Sequence, residues 1–188
     1  MSLQPTESAH PVAGGLHALP AADLLVRVLD AQSAAPDAVR KAIPDIIRVA
    51  EAGVAVLRSG GRVGYAGAGS SGLMALADCL ELPGTFGIAP DRLPMMFAGG
   101  AASLLRMAGG VEDDPALARA DLDRSGLASG DLVLCLAASG GTPYTLTIAE
   151  EASARGVRVA GLANVQDAPL LRLADIPVFL ATGPECLA

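Results

Sequence analysis

Tryptophan is missing from the chain, and aromatic residues of any kind make up only 3% of it. A core without large rings is filled by Ala, Val, Leu and Ile, which suits helices packed closely on a parallel sheet. Lysine occurs once, at Lys41, and Lys+Arg reaches 13 against 20 Asp+Glu, a formal charge of −7. Phosphate-backbone affinity is built from clustered Lys and Arg, so a general nucleic-acid binder is excluded. Histidine occurs twice, at His10 and His17, and no cluster has the spacing of metal ligands. The cysteines are three, Cys79, Cys135 and Cys186, widely spaced. Cys79 and Cys135 lie in apolar segments and read as reduced, buried thiols, which points to the cytoplasm. The first residues, MSLQPTESAH, carry no basic region followed by an apolar one, so no secretory signal is expected. The longest uncharged stretch, 132–149, is interrupted by Ser139, Gly140, Gly141, Thr142 and Pro143. It reads as strand, loop and helix start, not as a membrane span.

What is abundant is small and apolar. Hydrophobic residues are 52% of the 188, and glycine accounts for 22. That length suits one domain with a sizeable core. Residues 1–19, with Pro5, Pro11, Gly14 and Gly15, read as an extended arm. Two helical patterns follow, over 21–31 (Leu24, Leu25, Val28 and Leu29 on one face) and over 37–57, where Pro44 is expected to kink or divide the helix. Gly60-Gly61 stops it. From there strands (62–66, 93–98, 131–137, 157–162, 176–180) alternate with helices (71–80, 101–108, 115–125, 143–154, 169–173). That alternation predicts an α/β fold with a parallel sheet. Continuous apolar strands such as DLVLCLA fit a sheet covered on both faces.

Two segments resemble each other: VGYAGAGSSG and LVLCLAASGGTP are each an apolar strand, small residues, a Ser-Gly turn and a helix start. If their strands are neighbours, both turns lie at one sheet edge, where open α/β sheets bind ligands. Residues 67–72, GAGSSG, match G-x-G-x-x-G. A dinucleotide site also needs an acidic residue about 20 positions on that closes a second strand, and LPGTFGIAPDR is not a strand ending in an acid. The other possibility is an anion cradle, in which helix N-termini present free N–H groups. Gly69 and Gly140 let the backbone approach, and Ser70, Ser71, Ser139 and Thr142 add hydroxyls. Each hydroxyl alone also fits an ordinary helix cap.

The segment GRVGYAGAGSSGLMALADCLELPGTFGIAP resembles the signature of bacterial N-acetylmuramic acid 6-phosphate etherases. These are SIS (sugar isomerase) proteins, related to the glucokinase regulatory proteins. The match continues through FAGGAASLLRMAGGVEDDP, AASGGTPY and ADIPVFLATGPE, and spans about 6–185. The resemblance implies a SIS-type three-layer α/β/α fold with a mainly parallel sheet. An N-terminal arm and helices (1–59) would lead into a sugar-phosphate-binding domain (60–188), the two forming one structural unit. It implies a lyase that cleaves the D-lactyl ether of N-acetylmuramic acid 6-phosphate by elimination and hydration, in cell-wall sugar recovery, with no metal or organic cofactor. Two carboxyl groups with separated pKa values suit such acid and base steps. Glu81 in LELPGTFG would assist lactate departure and activate water, and Glu112 in VEDDP would take the C2 proton. Read from the residues alone, Glu81 is a solvated helix end and Glu112 a helix-start carboxylate. The resemblance also places Glu185 near the sugar and implies a homodimer or higher oligomer, in which a neighbouring subunit can bring Glu81 to the pocket.

Departures from the family pattern bear on substrate choice. Leu73 and Gly141 stand where the family carries arginines, His10 replaces an Asn, and Leu82 and Gly84 alter ECPPTFG. Losing two arginines weakens anion pairing. The family continues past GPE with a helical region, so strand 176–180 would need cover from elsewhere. Non-catalytic sugar-phosphate-binding SIS proteins and sugar-phosphate isomerases are the alternatives.

Overall fold

The computed structural model describes residues 10–106 and 110–184. Helices α1 (Ala21–Gln32) and α2 (Ala35–Arg58) precede strand β1 (Val63–Gly67) and helix α3 (Gly69–Phe86). Then come β2 (Met95–Phe97), α4 (Gly100–Leu105), α5 (Pro115–Ser125), β3 (Leu132–Leu136) and α6 (Pro143–Ala154). Strand β4 (Arg158–Ala163), helix α7 (Pro169–Leu173) and strand β5 (Ile176–Phe179) follow. The five strands form one sheet, ordered β2-β1-β3-β4-β5, and every pairing is parallel. The α/β fold expected from the alternation is the fold observed.

Side-chain alternation along the strands divides the core in two. On one face Ala66, Val133, Cys135 and Val159 meet Leu122 of α5, Tyr144 and Ile148 of α6 and Leu170 of α7. On the other, Val63, Tyr65, Leu132 and Ile176 meet Ala52 of α2 and Ala75 and Cys79 of α3. This is the expected three-layer arrangement, and small alanines let the helices sit close to the sheet. The two tyrosine hydroxyls tie elements together, one joining the sheet to a helix and the other joining two helices of one layer. Tyr65 donates to Asp78 of α3 at 2.6 Å, and Tyr144 donates to Asp121 of α5 at 2.5 Å. Burial pushes both phenol pKa values up, with the neighbouring carboxylate adding to the effect. Cys79 and Cys135 are free and buried, as expected, and burial raises the Cys135 thiol to about 12. Cys186 lies outside the described residues. No described helix is long and apolar enough to cross a membrane.

Several expectations are corrected. Helix α2 is not divided at Pro44 and runs from Ala35 to Arg58. Helix α3 begins at Gly69 and does not stop near Leu80. It continues through Pro83 to Phe86, where Gly87, at φ 68°, donates its N–H to Pro83 O at 3.1 Å. Pro83 removes one backbone donor, yet the last turn still closes through that bond. The face of α1 is amphipathic as read, but Leu25 and Leu29 are 68% and 66% exposed and no residue of α1 is buried. Strand β5 is not left bare, because α2 and α7 pack against it and bury Ile176 and Val178.

Candidate functional site

The chain passes from β1 outward to β2, crosses back to β3, and then continues to β4 and β5 on the other side. The reversal falls between β1 and β3, which makes their carboxyl ends a topological switch point, where such sheets bind ligands. The register Gly67↔Leu136 aligns the ends of the two strands. The two Ser-Gly turns therefore lie side by side, as their sequence likeness predicts. A hydrogen bond joins them: Ala138 N–H donates to Ser71 Oγ at 3.3 Å.

A cleft of about 480 Å³ opens at this point. From the first turn it is lined by Ala68, Gly69, Ser70 and Ser71, and from the second by Ala138, Ser139, Gly141 and Thr142. Gly69 is the first residue of α3, and Thr142 stands just before Pro143 of α6. Two helix N-termini thus converge on one space, each with unpaired backbone N–H groups and a positive dipole end. No side-chain cap bond is made by Thr142 at the start of α6, nor by any side chain at the start of α3. The capping role that each hydroxyl could have filled is therefore not the one observed. Ser139 Oγ instead accepts from Gly141 N–H at 3.2 Å and shapes its own turn.

The glycines of the turns are required by backbone geometry. Gly140 has φ +63°, and a Cβ there would stand 2.4 Å from Ala168 Cβ. Gly140 does not line the cleft itself, since it is buried under Ala168. It positions the neighbours that do, with its N–H donating to Ala137 O at 2.8 Å and its carbonyl accepting from Leu170 N–H at 3.0 Å.

Glu112 lies in the cleft wall, in a one-turn 3-10 helix over Val111–Asp113. Its Oε2 is 3.8 Å from where a Cβ on Gly69 would stand, so the carboxylate faces the first turn. The cap of α5 is made by Asp114, whose Oδ1 accepts from Ala116 and Leu117 N–H at 2.9 and 3.0 Å. Glu112 is thereby relieved of the structural role that its position suggested. Asp113 also lines the cleft, a placement that the sequence pattern does not predict. The run EDDP was the available signal, but nothing in it separates a capping carboxylate from a cleft carboxylate.

Glu81 is elsewhere. It lies twelve residues along α3 from Gly69, about 18 Å at the helical rise. It is exposed, does not line the cleft, and accepts a 2.5 Å hydrogen bond from Thr85 Oγ1 one turn on. With α3 extended to Phe86, it is not a helix end. Glu185 lies outside the described residues. The structure thus brings together Gly69, Ser70, Ser71, Glu112, Ser139 and Thr142, and leaves Glu81 apart.

Residues 30–164 match the SIS domain family model. Over 183 residues the chain is 38% identical to an N-acetylmuramic acid 6-phosphate etherase of Deinococcus radiodurans, covering 97% of this chain and 60% of that one. The etherase of Thermobifida fusca is 39% identical over 98% of this chain and 60% of its own. The chain therefore spans about 60% of the length of these curated relatives. Among solved structures, a phosphoheptose isomerase of Francisella tularensis shares the fold, with a TM-score of 0.65 at 23% identity over 83% of this chain and 85% of that one. The NanR protein of Vibrio vulnificus, solved with ManNAc-6P, reaches a TM-score of 0.56 at 23% identity, over 89% and 56% of the two chains. The chain belongs to the SIS domain family, and its curated relatives bear out the etherase resemblance read from GAGSSG, LELPGTFG and VEDDP.

Proposed function

We propose that the cleft binds a phosphorylated amino sugar and that the protein is a lyase cleaving the D-lactyl ether of N-acetylmuramic acid 6-phosphate. The observation that carries this reading is Glu112, a carboxylate in the same cleft as the hydroxyls and helix N-termini of the two turns. The turns hold the phosphate through Ser70, Ser71, Ser139, Thr142 and backbone N–H groups. Glu112 then faces the carbon skeleton and takes the C2 proton of the open-chain aldehyde. The electron pair forms a C2–C3 double bond, the C3–O bond breaks, and the departing lactate oxygen takes a proton from an acid. Water adds to C3, C2 is reprotonated, and N-acetylglucosamine 6-phosphate and D-lactate result.

The acid in this scheme is Glu81 of a second copy of the chain. Its own cleft is about 18 Å away along α3. Leu25 and Leu29 on α1, Ile43 and Ile47 on α2, and Leu80 and Phe86 on α3 are all exposed. Exposed apolar surface of this kind, where contiguous, marks protein–protein contact regions. A homodimer or higher oligomer that covers it would exchange Glu81 residues between clefts.

Incubation with N-acetylmuramic acid 6-phosphate and an assay for D-lactate tests the proposal. Lactate is expected, together with a mass in solution of at least two chains. A monomer that binds the sugar phosphate and releases no lactate would instead establish the non-catalytic alternative. That second reading is favoured by one observation, the distance of Glu81 from the cleft of its own chain.

A further inference from the structure

A line of hydrogen bonds crosses the carboxyl ends of four adjacent strands. It starts at Ser71 Oγ, beyond β1, which accepts from Ala138 N–H beyond β3. Ala138 O accepts from Asn164 N–H, beyond β4, at 2.8 Å. The Asn164 side chain continues outward: its Nδ2 donates to Thr182 Oγ1 at 2.9 Å and to Leu180 O at 3.4 Å, both beyond β5. Leu180 N–H returns to Ala163 O at 2.9 Å. Asn164 does not line the cleft. It is the link through which the segment after β5 is attached to the second turn.

We infer that Asn164 is a positioning residue for the anion cradle, acting through Ala138 and dependent on Thr182. The inference rests on the proposed binding of a sugar phosphate at the cleft. Its physical basis is the geometry of convergent donors. Backbone N–H groups hold an anion strongly only if they are fixed before it arrives, and loss of that order lowers affinity without removing any contact. Asn164 bonds the turn with its backbone and the outer segment with its side chain. A side-chain change at Thr182, outside the cleft, is therefore felt at the cradle.

Calorimetric titration with N-acetylglucosamine 6-phosphate tests this, on the full chain and on Asn164→Ala, Thr182→Val, Thr182→Ser and the Asn164→Ala/Thr182→Val pair. Asn164→Ala and Thr182→Val are each expected to weaken binding about 3–10-fold, the range of one lost hydrogen bond. The pair should lose no more than Asn164→Ala alone, and Thr182→Ser, which keeps the acceptor, should bind as the unaltered protein does. Unchanged affinity in Thr182→Val, or additive losses in the pair, would overturn the inference, whatever happens to the melting temperature. Should Asn164→Ala fail to fold, the contrast between Thr182→Val and Thr182→Ser decides by itself. If the unaltered protein does not bind the sugar phosphate, the proposed ligand is wrong, and that outcome is seen before any variant is compared.

Discussion

Glu112→Gln is expected to lower D-lactate release about 100- to 10,000-fold while the sugar phosphate still binds. The amide keeps the size and shape of the carboxyl group but cannot accept the C2 proton, and general-base catalysis is worth about that factor. Binding survives because the hydroxyls and helix N-termini of the two turns are untouched. Glu112 has no capping duty to lose either, since Asp114 serves the start of α5. The variant should therefore melt close to the parent. Steady-state lactate assays paired with calorimetric titration check both halves. Lactate release that persists at parental rates would remove Glu112 from the chemistry.

Gly140→Ala is expected to produce the second large effect, on stability and binding together. The αL conformation costs an alanine about 1–2 kcal/mol. The added methyl also collides with Ala168 Cβ, 2.4 Å from its ideal position, and lies 3.0 Å from Ala163 Cβ. Both are short side chains that cannot swing away, and overpacking of that kind costs about 1–3 kcal/mol. A total of about 3 kcal/mol corresponds to a fall of about 6–12 °C in melting temperature for a chain of this size. Any relaxation moves the turn that carries Ser139 and Thr142, so sugar-phosphate affinity falls with it. Thermal melting and titration of the variant check this, and a parental melting point would contradict the strain argument.

The legible parts of this molecule were those in which sequence pattern and backbone geometry coincide. Apolar runs such as DLVLCLA, followed at once by Ser-Gly turns, located β1 and β3 and put both turns at one sheet edge. Hydrophobic periodicity also found α1, but a pattern says that a face is apolar, not what covers it. Leu25 and Leu29 illustrate that limit. The helix after GAGSSG is read from the sequence as stopping near Leu80. The tertiary structure carries α3 past it, and this moved Glu81 from a helix end to an exposed interior position. Spacing along the chain could not separate Glu112 from Asp113 and Asp114. Only the fold assigns the cap to Asp114 and the cleft to the other two.

The described lining of the cleft carries two carboxylates, Glu112 and Asp113, and no lysine, arginine or histidine. Anion sites built on cations weaken as ionic strength rises, because mobile ions screen the attraction. In the proposed cradle the attraction would come from short-range hydrogen bonds to hydroxyls and backbone N–H groups, aided by the helix dipoles, while the carboxylates would repel a phosphate. Screening acts on the repulsion as well as on the dipole attraction, and leaves the hydrogen bonds. A cradle of this composition is expected to lose less affinity in concentrated salt than one built on lysine and arginine.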